Sequence, residues 1–223
     1  MRHNGNPPTP AQLQSMNVQV PVGYSGITFP LYDSAVYPAA GSAQITLFQS
    51  PQGAAGKTFA DTNMTAAGQV PSPNVFVVTG LEIKFISGQA VELLEAAAAG
   101  NYISDVAAFY QGLPGVLNSG YLEFDVGSAF YVREPLHAFP PANRLNLQAA
   151  TSNVTTAAAA QFYLADYAEN SGVPFEIAPL ALPSNQNFSV TLNWPLGVVA
   201  TPSTKAGKVF VKLNGWMYRP VQA

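Results

Sequence analysis

The chain has 223 residues, enough for one sizeable domain with extensions or for two small domains. Apolar residues make up 48% and charged residues only 9%, against roughly 25% in an average soluble domain, so a large core can form but the surface cannot be clothed in charge as a free-standing monomer's usually is. Nine basic and twelve acidic residues give a net charge of −3 with no Lys/Arg run, which argues against nucleic-acid binding through phosphates, and the lack of cysteine excludes disulfides and thiolate metal sites.

The N-terminus, M-R-H-N-G-N-P-P-T-P, has no apolar core of a signal peptide, and no run of about eighteen apolar residues follows to span a membrane. Synthesis and folding in the cytoplasm of the producer are expected. The N-x-S/T triplets at Asn63, Asn153 and Asn187 then read as chance matches rather than glycosylation acceptors. Pro7, Pro8 and Pro10 favour an extended backbone, and residues 11–16 (A-Q-L-Q-S-M) can form one helical turn. Residues 1–16 read as an arm that is either a loose tail or ordered against a neighbour.

Short strand candidates follow at 18–20, 27–31 and 44–48, interrupted by Pro and Gly. The interruptions predict edge strands or a strap over the core, so residues 1–50 are assigned to arm and strap. Residues 51–73 form a loop rich in Gly, Pro, Ser and Ala. It contains Gly56-Lys57-Thr58, reminiscent of a P-loop. That motif needs a glycine where Pro51 stands, because backbone N–H groups must wrap a phosphate and proline has none.

Residues 74–86 (N-V-F-V-V-T-G-L-E-I-K-F-I) form the longest early strand. Positions 75–78 are apolar on both faces. Leu81, Ile83 and Phe85 then alternate with Glu82 and Lys84, the period of a half-solvated strand. Thr79-Gly80 between the halves predicts a bulge or bend. Residues 89–99 (Q-A-V-E-L-L-E-A-A-A-A) are strong helix formers ended by Gly100. Tyr102, Val106, Phe109 and Tyr110 mark a second amphipathic helix, with a stop expected at Gly112-Leu113-Pro114-Gly115. The helical insertion is thus placed at about 89–111, as a lid over one end of a β-structure.

From residue 120 the pattern is β again. Residues 121–133 read as a hairpin turning at Gly127-Ser128, with Glu123 and Asp125 on the face of Tyr121. Strands are expected at 145–149, 160–167, 175–178, 188–194 and 208–218. Seven or eight strands from residue 74 onward, separated by turn-rich loops, predict an all-β sandwich, and eight strands in two Greek keys make a jelly roll. One domain at 74–223 is expected, with 74–86 and 208–218 side by side.

Candidates for chemistry are few. His3 lies in the arm and His137 in a loop, with no nucleophile elbow to accompany either. Glu123 and Asp125 share a face, as paired carboxylates do in glycosidases, but a solvated strand face has the same pattern. Arg133 and Glu134 read as a local ion pair. Tyr163, Tyr167, Trp194, Trp216 and Tyr218 could form a sugar-stacking platform, though packing is the commoner use of aromatics in a sandwich. No catalytic, cofactor-binding or metal-ligating residue is assigned, and no cofactor is expected.

Four stretches carry a family likeness: G-K-T-F-A-D-T-N-M-T-A-A-G-Q (56–69) leading into T-G-L-E-I-K-F (79–85), the hairpin Y-L-E-F-D-V-G-S-A-F-Y-V-R-E-P-L (121–136) with F-P-P (139–141), and the closing strand V-F-V-K-L-N-G-W-M-Y-R-P (209–220). In these the chain resembles the jelly-roll coat proteins of tailless icosahedral bacteriophages, including those with an internal membrane. The resemblance implies a non-enzymatic capsid subunit of the virion that assembles with copies of itself. It further implies other capsid proteins as partners and, in the membrane-containing members, contact with that membrane. The arm departs from the basic genome-binding arms of many small viruses, since it carries only Arg2. A spike or carbohydrate-binding sandwich is the alternative.

Overall fold

The computed structural model describes residues 7–87, 102–139, 143–150, 162–169, 174–201 and 206–221, the two segments 143–150 and 162–169 by backbone course. One sheet has the order β2 (Leu31–Tyr37), β11 (Gly207–Pro220), β4 (Val75–Ile86), β9 (Phe175–Pro183), and β1 (Tyr24–Thr28) pairs with the far half of β11. The other has the order β3 (Gln44–Leu47), β10 (Phe188–Asn193), β5 (Tyr121–Val126), β6 (Ala129–Pro135). Every pairing is antiparallel. Along β2, β3, β4, β5, β6, β9, β10 and β11 the chain passes from sheet to sheet at every connection except the β5–β6 hairpin. That is the jelly-roll winding of a two-sheet sandwich. A helix, α2 (Tyr102–Ser119), lies between β4 and β5, and a hairpin of β7 (Asn143–Ala150) and β8 (Phe162–Glu169) lies between β6 and β9.

The expected pairing of the two longest strands is present, β4 running antiparallel to β11 from Val75↔Tyr218 to Ile86↔Lys208. The register slips between Asn214 and Gly215, leaving Thr79 as an extra residue in β4. This bulge has a packing reason. Phe76 and Val78 point into the sandwich at even positions, whereas Leu81, Ile83 and Phe85 do so at odd ones. One inserted residue shifts the period-two phase, so all five reach the same core.

The same bulge divides the sheet's outer face. Beyond it Glu82 takes Lys212 at 3.3 Å and Asn214 at 2.7 Å, a polar surface. Before it Val75 and Val77 turn outward beside Trp216 and Tyr218, and these four are buried in a second apolar cluster with Leu13 and Val18. The cover is the arm. Its short helix α1 (Pro10–Ser15) starts in a capping box, Thr9 accepting from the Gln12 amide and the Gln12 side chain accepting from Thr9. Tyr218 donates its buried hydroxyl to the Pro8 carbonyl at 2.6 Å.

Several expectations change here. Of the two expectations for this stretch the edge strands hold and the strap does not: residues 31–37 and 44–47 border the two sheets, so the sandwich begins near residue 31 rather than 74. The segment expected as one strand at 27–31 breaks at Phe29-Pro30 into β1 and β2, while 18–20 forms no strand. The outer face of 75–78, at Val75 and Val77, is covered by the arm. Helix α2 runs through Pro114 to Ser119 instead of stopping at Gly112, because Phe109 and Val116 both bury in the sandwich core and hold the turns on either side. The helix expected at 89–99 lies outside the described residues.

Candidate functional site

The G-K-T loop is a clasp on the sandwich. Asp33, on the inward side of β2 and fully buried, takes the Lys57 ammonium at 2.7 and 2.9 Å and the Phe48 amide at 2.6 Å. Phe48 needs that bond, since it holds φ +67° just past β3, a region costly for a side chain with a Cβ, and buries its ring. Two more groups of the same loop grip the free edge of β2. The Asn63 amide takes the Tyr32 N–H at 2.9 Å and donates to the Pro30 carbonyl at 2.7 Å, and the Thr62 hydroxyl donates to the Tyr32 carbonyl. Asp61 pairs with Lys208 and accepts from the Thr58 amide and hydroxyl; the lysine first and then Thr58 hold its carboxyl well below the usual aspartate range. Lys57 is thus spent inside the protein, and the loop covers a sheet edge that would otherwise offer bare backbone.

The paired carboxylates stand on the outer face of the second sheet. Glu123 binds Arg133 across the hairpin, replacing the expected Arg133–Glu134 pair, because antiparallel register sets Glu123 opposite Arg133. The Arg133 guanidinium also lies over the Phe130 ring, 4.7 Å from its centre. Burial, then the Glu123 charge, push the Asp125 carboxyl above its ordinary value, against a lowering by Arg133. His137 sits exposed in a single 3₁₀ turn, Leu136–Ala138. His3 lies outside the described residues.

The aromatic platform does not form from the tryptophans. Trp194 is buried and donates its indole N–H to the Val116 carbonyl at 2.9 Å, tying α2 to the end of β10. Trp216 and Tyr218 lie under the arm on the other sheet. The side chains of Tyr163 and Tyr167, on β8, are outside what is described. Among the described residues no group of three or more His, Asp or Glu could hold a metal ion, and no helix is long and apolar enough to cross a membrane.

Two surface features have no counterpart in the sequence reading. The first is the loop between β10 and β11. Residues 194–201 (W-P-L-G-V-V-A-T) carry no charge, and Leu196 and Val198 are 92% and 60% exposed. The loop is pinned at its base. Tyr37 donates its hydroxyl to the Val199 carbonyl, Thr201 donates its amide to Ala39 at 3.1 Å, and the Gly197 amide closes a turn onto Trp194 at 3.0 Å. Burial pushes the Tyr37 phenol up to about 12, so it stays a donor throughout the physiological range.

The second is a cleft of about 460 Å³ between β6 and β9. Among the described residues both are edge strands, β6 pairing only with β5 and β9 only with β4. Tyr131 and Val132 face Phe175, Ile177, Pro179 and Leu180 across it, and Arg133 and Glu134 are its charged residues. The apolar loop belongs to the side of the sandwich edged by β2 and β3, where Tyr37 and Ala39 hold it, and among the described residues the cleft lies on the opposite side, edged by β6 and β9. The signal for the loop was in the sequence as an uncharged W-P-L-G-V-V-A-T run; the cleft depends on two strands 40 residues apart and had none.

No family model, curated protein or solved structure matches the chain.

Proposed function

We propose that the chain is a structural shell subunit, a jelly-roll coat protein of the kind its sequence resembles, which works by assembling with copies of itself. The observation that carries this reading is where the polar and apolar groups have gone. Lys57, Arg133, Lys208 and Lys212 are engaged by carboxylates of the same chain. Meanwhile Val22, Val36, Phe59, Phe130, Leu196 and Val198 are exposed. A surface on which these four cations are neutralised within the chain while large apolar groups point outward costs less to desolvate and gains by burial against another protein.

The reading is non-enzymatic and places the protein in a virion, with other coat proteins and, where one lies beneath the shell, an internal membrane as neighbours. The arm enters it differently from the sequence expectation. Its described part covers the subunit's own sheet, so it completes the building block before assembly. Sedimentation velocity and negative-stain microscopy of the purified protein test the reading. Closed particles or their ring-shaped precursors are expected; a monomer at every concentration, with or without added glycans, overturns it.

A further inference from the structure

We propose that the apolar tip of the β10–β11 loop, Leu196 with Val198, seats in the β6–β9 cleft of a second copy of this chain. The inference rests on the self-assembly reading above and names the contact that would serve it. The chain supplies both knob and hole. The tip is uncharged, exposed and held rigidly at its base by Tyr37, Thr201 and Gly197, so little conformational entropy is lost when it docks. The cleft presents Val132, Ile177 and Leu180, and its 460 Å³ exceeds the volume of two aliphatic side chains.

Placement selects a second copy as the occupant. The tip and the cleft lie on opposite sides of one sandwich, so a chain cannot fill its own cleft with its own tip. The same separation makes the contact heterologous, one copy's β2–β3 side meeting the next copy's β6–β9 side. Such contacts propagate, closing into a ring when the rotation allows and continuing as an open chain when it does not.

The chain has no cysteine, so cross-linking starts from a clean background. Leu196→Cys and Ala178→Cys, the latter at an exposed position in the cleft wall, are purified separately, mixed, and oxidised with oxidised glutathione. The expected result is a covalent dimer in the mixture at least tenfold more abundant than in either variant alone. Dimer formed equally by Leu196→Cys alone (tip to tip) or by Ala178→Cys alone (cleft to cleft) overturns the pairing. In parallel, the double variant Leu196→Asp, Val198→Asp should retain the wild-type far-UV spectrum and melting profile while weakening self-association at least tenfold in sedimentation. Wild-type protein that assembles while this variant assembles equally well refutes the contact alone. Wild-type protein that never associates refutes the contact and the self-assembly reading together.

Discussion

The carbonyl oxygen of Val77 occupies the space that a Cβ on Gly215 would need. Gly215 stands opposite Val78, where the extra residue Thr79 bows β4 toward β11, and the Phe76 ring closes the site from the core. The glycine and the bulge are therefore one device. The bulge returns the alternating side chains of β4 to the core, and the glycine makes room for the backbone that does so.

Gly215→Ala should thus destabilise the fold by about 3 kcal/mol, since the obstacle is backbone and cannot rotate away. Gly115→Ala, inside α2 with nothing near the added methyl, should do the reverse and stabilise by about 0.5–1 kcal/mol. Urea unfolding of the two variants checks this. Equal effects would mean that the close approach at Gly215 does not matter.

Leu13→Ala should release the arm before it unfolds the sandwich. Leu13 is fully buried against Val77 and Trp216 in a cluster separate from the main core, and losing it costs about 2–5 kcal/mol. In hydrogen exchange, amides of residues 9–20 should speed up while those of β10 keep their protection. Removing residues 1–16 altogether goes further than the single substitution. It uncovers Val75, Val77, Trp216 and Tyr218 together, so the truncated chain should bind a hydrophobic dye and aggregate.

Lys57→Ala leaves the Asp33 carboxylate buried with its charge unpaired, a loss of about 3–5 kcal/mol. Asp33→Asn in the same chain should recover part of it, because a neutral amide oxygen can still accept from the Phe48 amide. A thermal-melt cycle over the two single variants and the double variant reads the coupling. Additive losses would show that the pair is not a unit.

Two aspartates should respond to acid with opposite sign. The carboxyl of Asp61 lies below its unfolded value of about 3.9. It therefore adds stability above that pH, and the gain is lost as the pH falls below it toward the folded value. Asp61→Asn should lower the melting temperature at pH 7 and matter less as the pH falls below about 4. The carboxyl of Asp125 is raised, so the folded state holds its proton more tightly and stability falls as the pH climbs past about 4. Asp125→Asn should raise the melting temperature at pH 7 and lose its effect in acid. Melting curves of both variants from pH 3 to 7 decide the signs.

Much of the fold is legible along the chain. The alternation of 81–85, the phase break at Thr79-Gly80 and the turn at Gly127-Ser128 all express short-range backbone preference. The hairpin of β5 and β6 follows from its turn, and β4 beside β11 follows from jelly-roll connectivity. The interruption at Phe29-Pro30 masked β2. Proline there was read as weakening the whole stretch, whereas it only separates two strands that share β11 as partner. Pro114 misled in the same way, its local cost outweighed by the burial of Phe109 and Val116 on either side.

The candidate surfaces were less legible than the strands. Residue types at 194–201 announce an apolar loop, but not that Tyr37 and Ala39, far back in the chain, hold its base while its tip stays out. The charged residues were equally opaque. Lys208 meets Asp61 across 147 positions, and Lys57 meets Asp33 across 24, partners that no local period specifies.

By itself, then, the sequence determined the strands from residue 74 onward, which side of β4 and β5 seeks the core, and how little charge is left for the surface. These are properties of backbone preference and composition, settled within a few residues. Tertiary structure alone decided that the strands of 31–47 complete the two sheets, that the arm covers Val75 and Val77, and that an apolar tip and an apolar cleft end on opposite sides. Apolar side chains are interchangeable as partners, so their pairing is chosen only when the whole chain closes and the remaining surfaces are left outside.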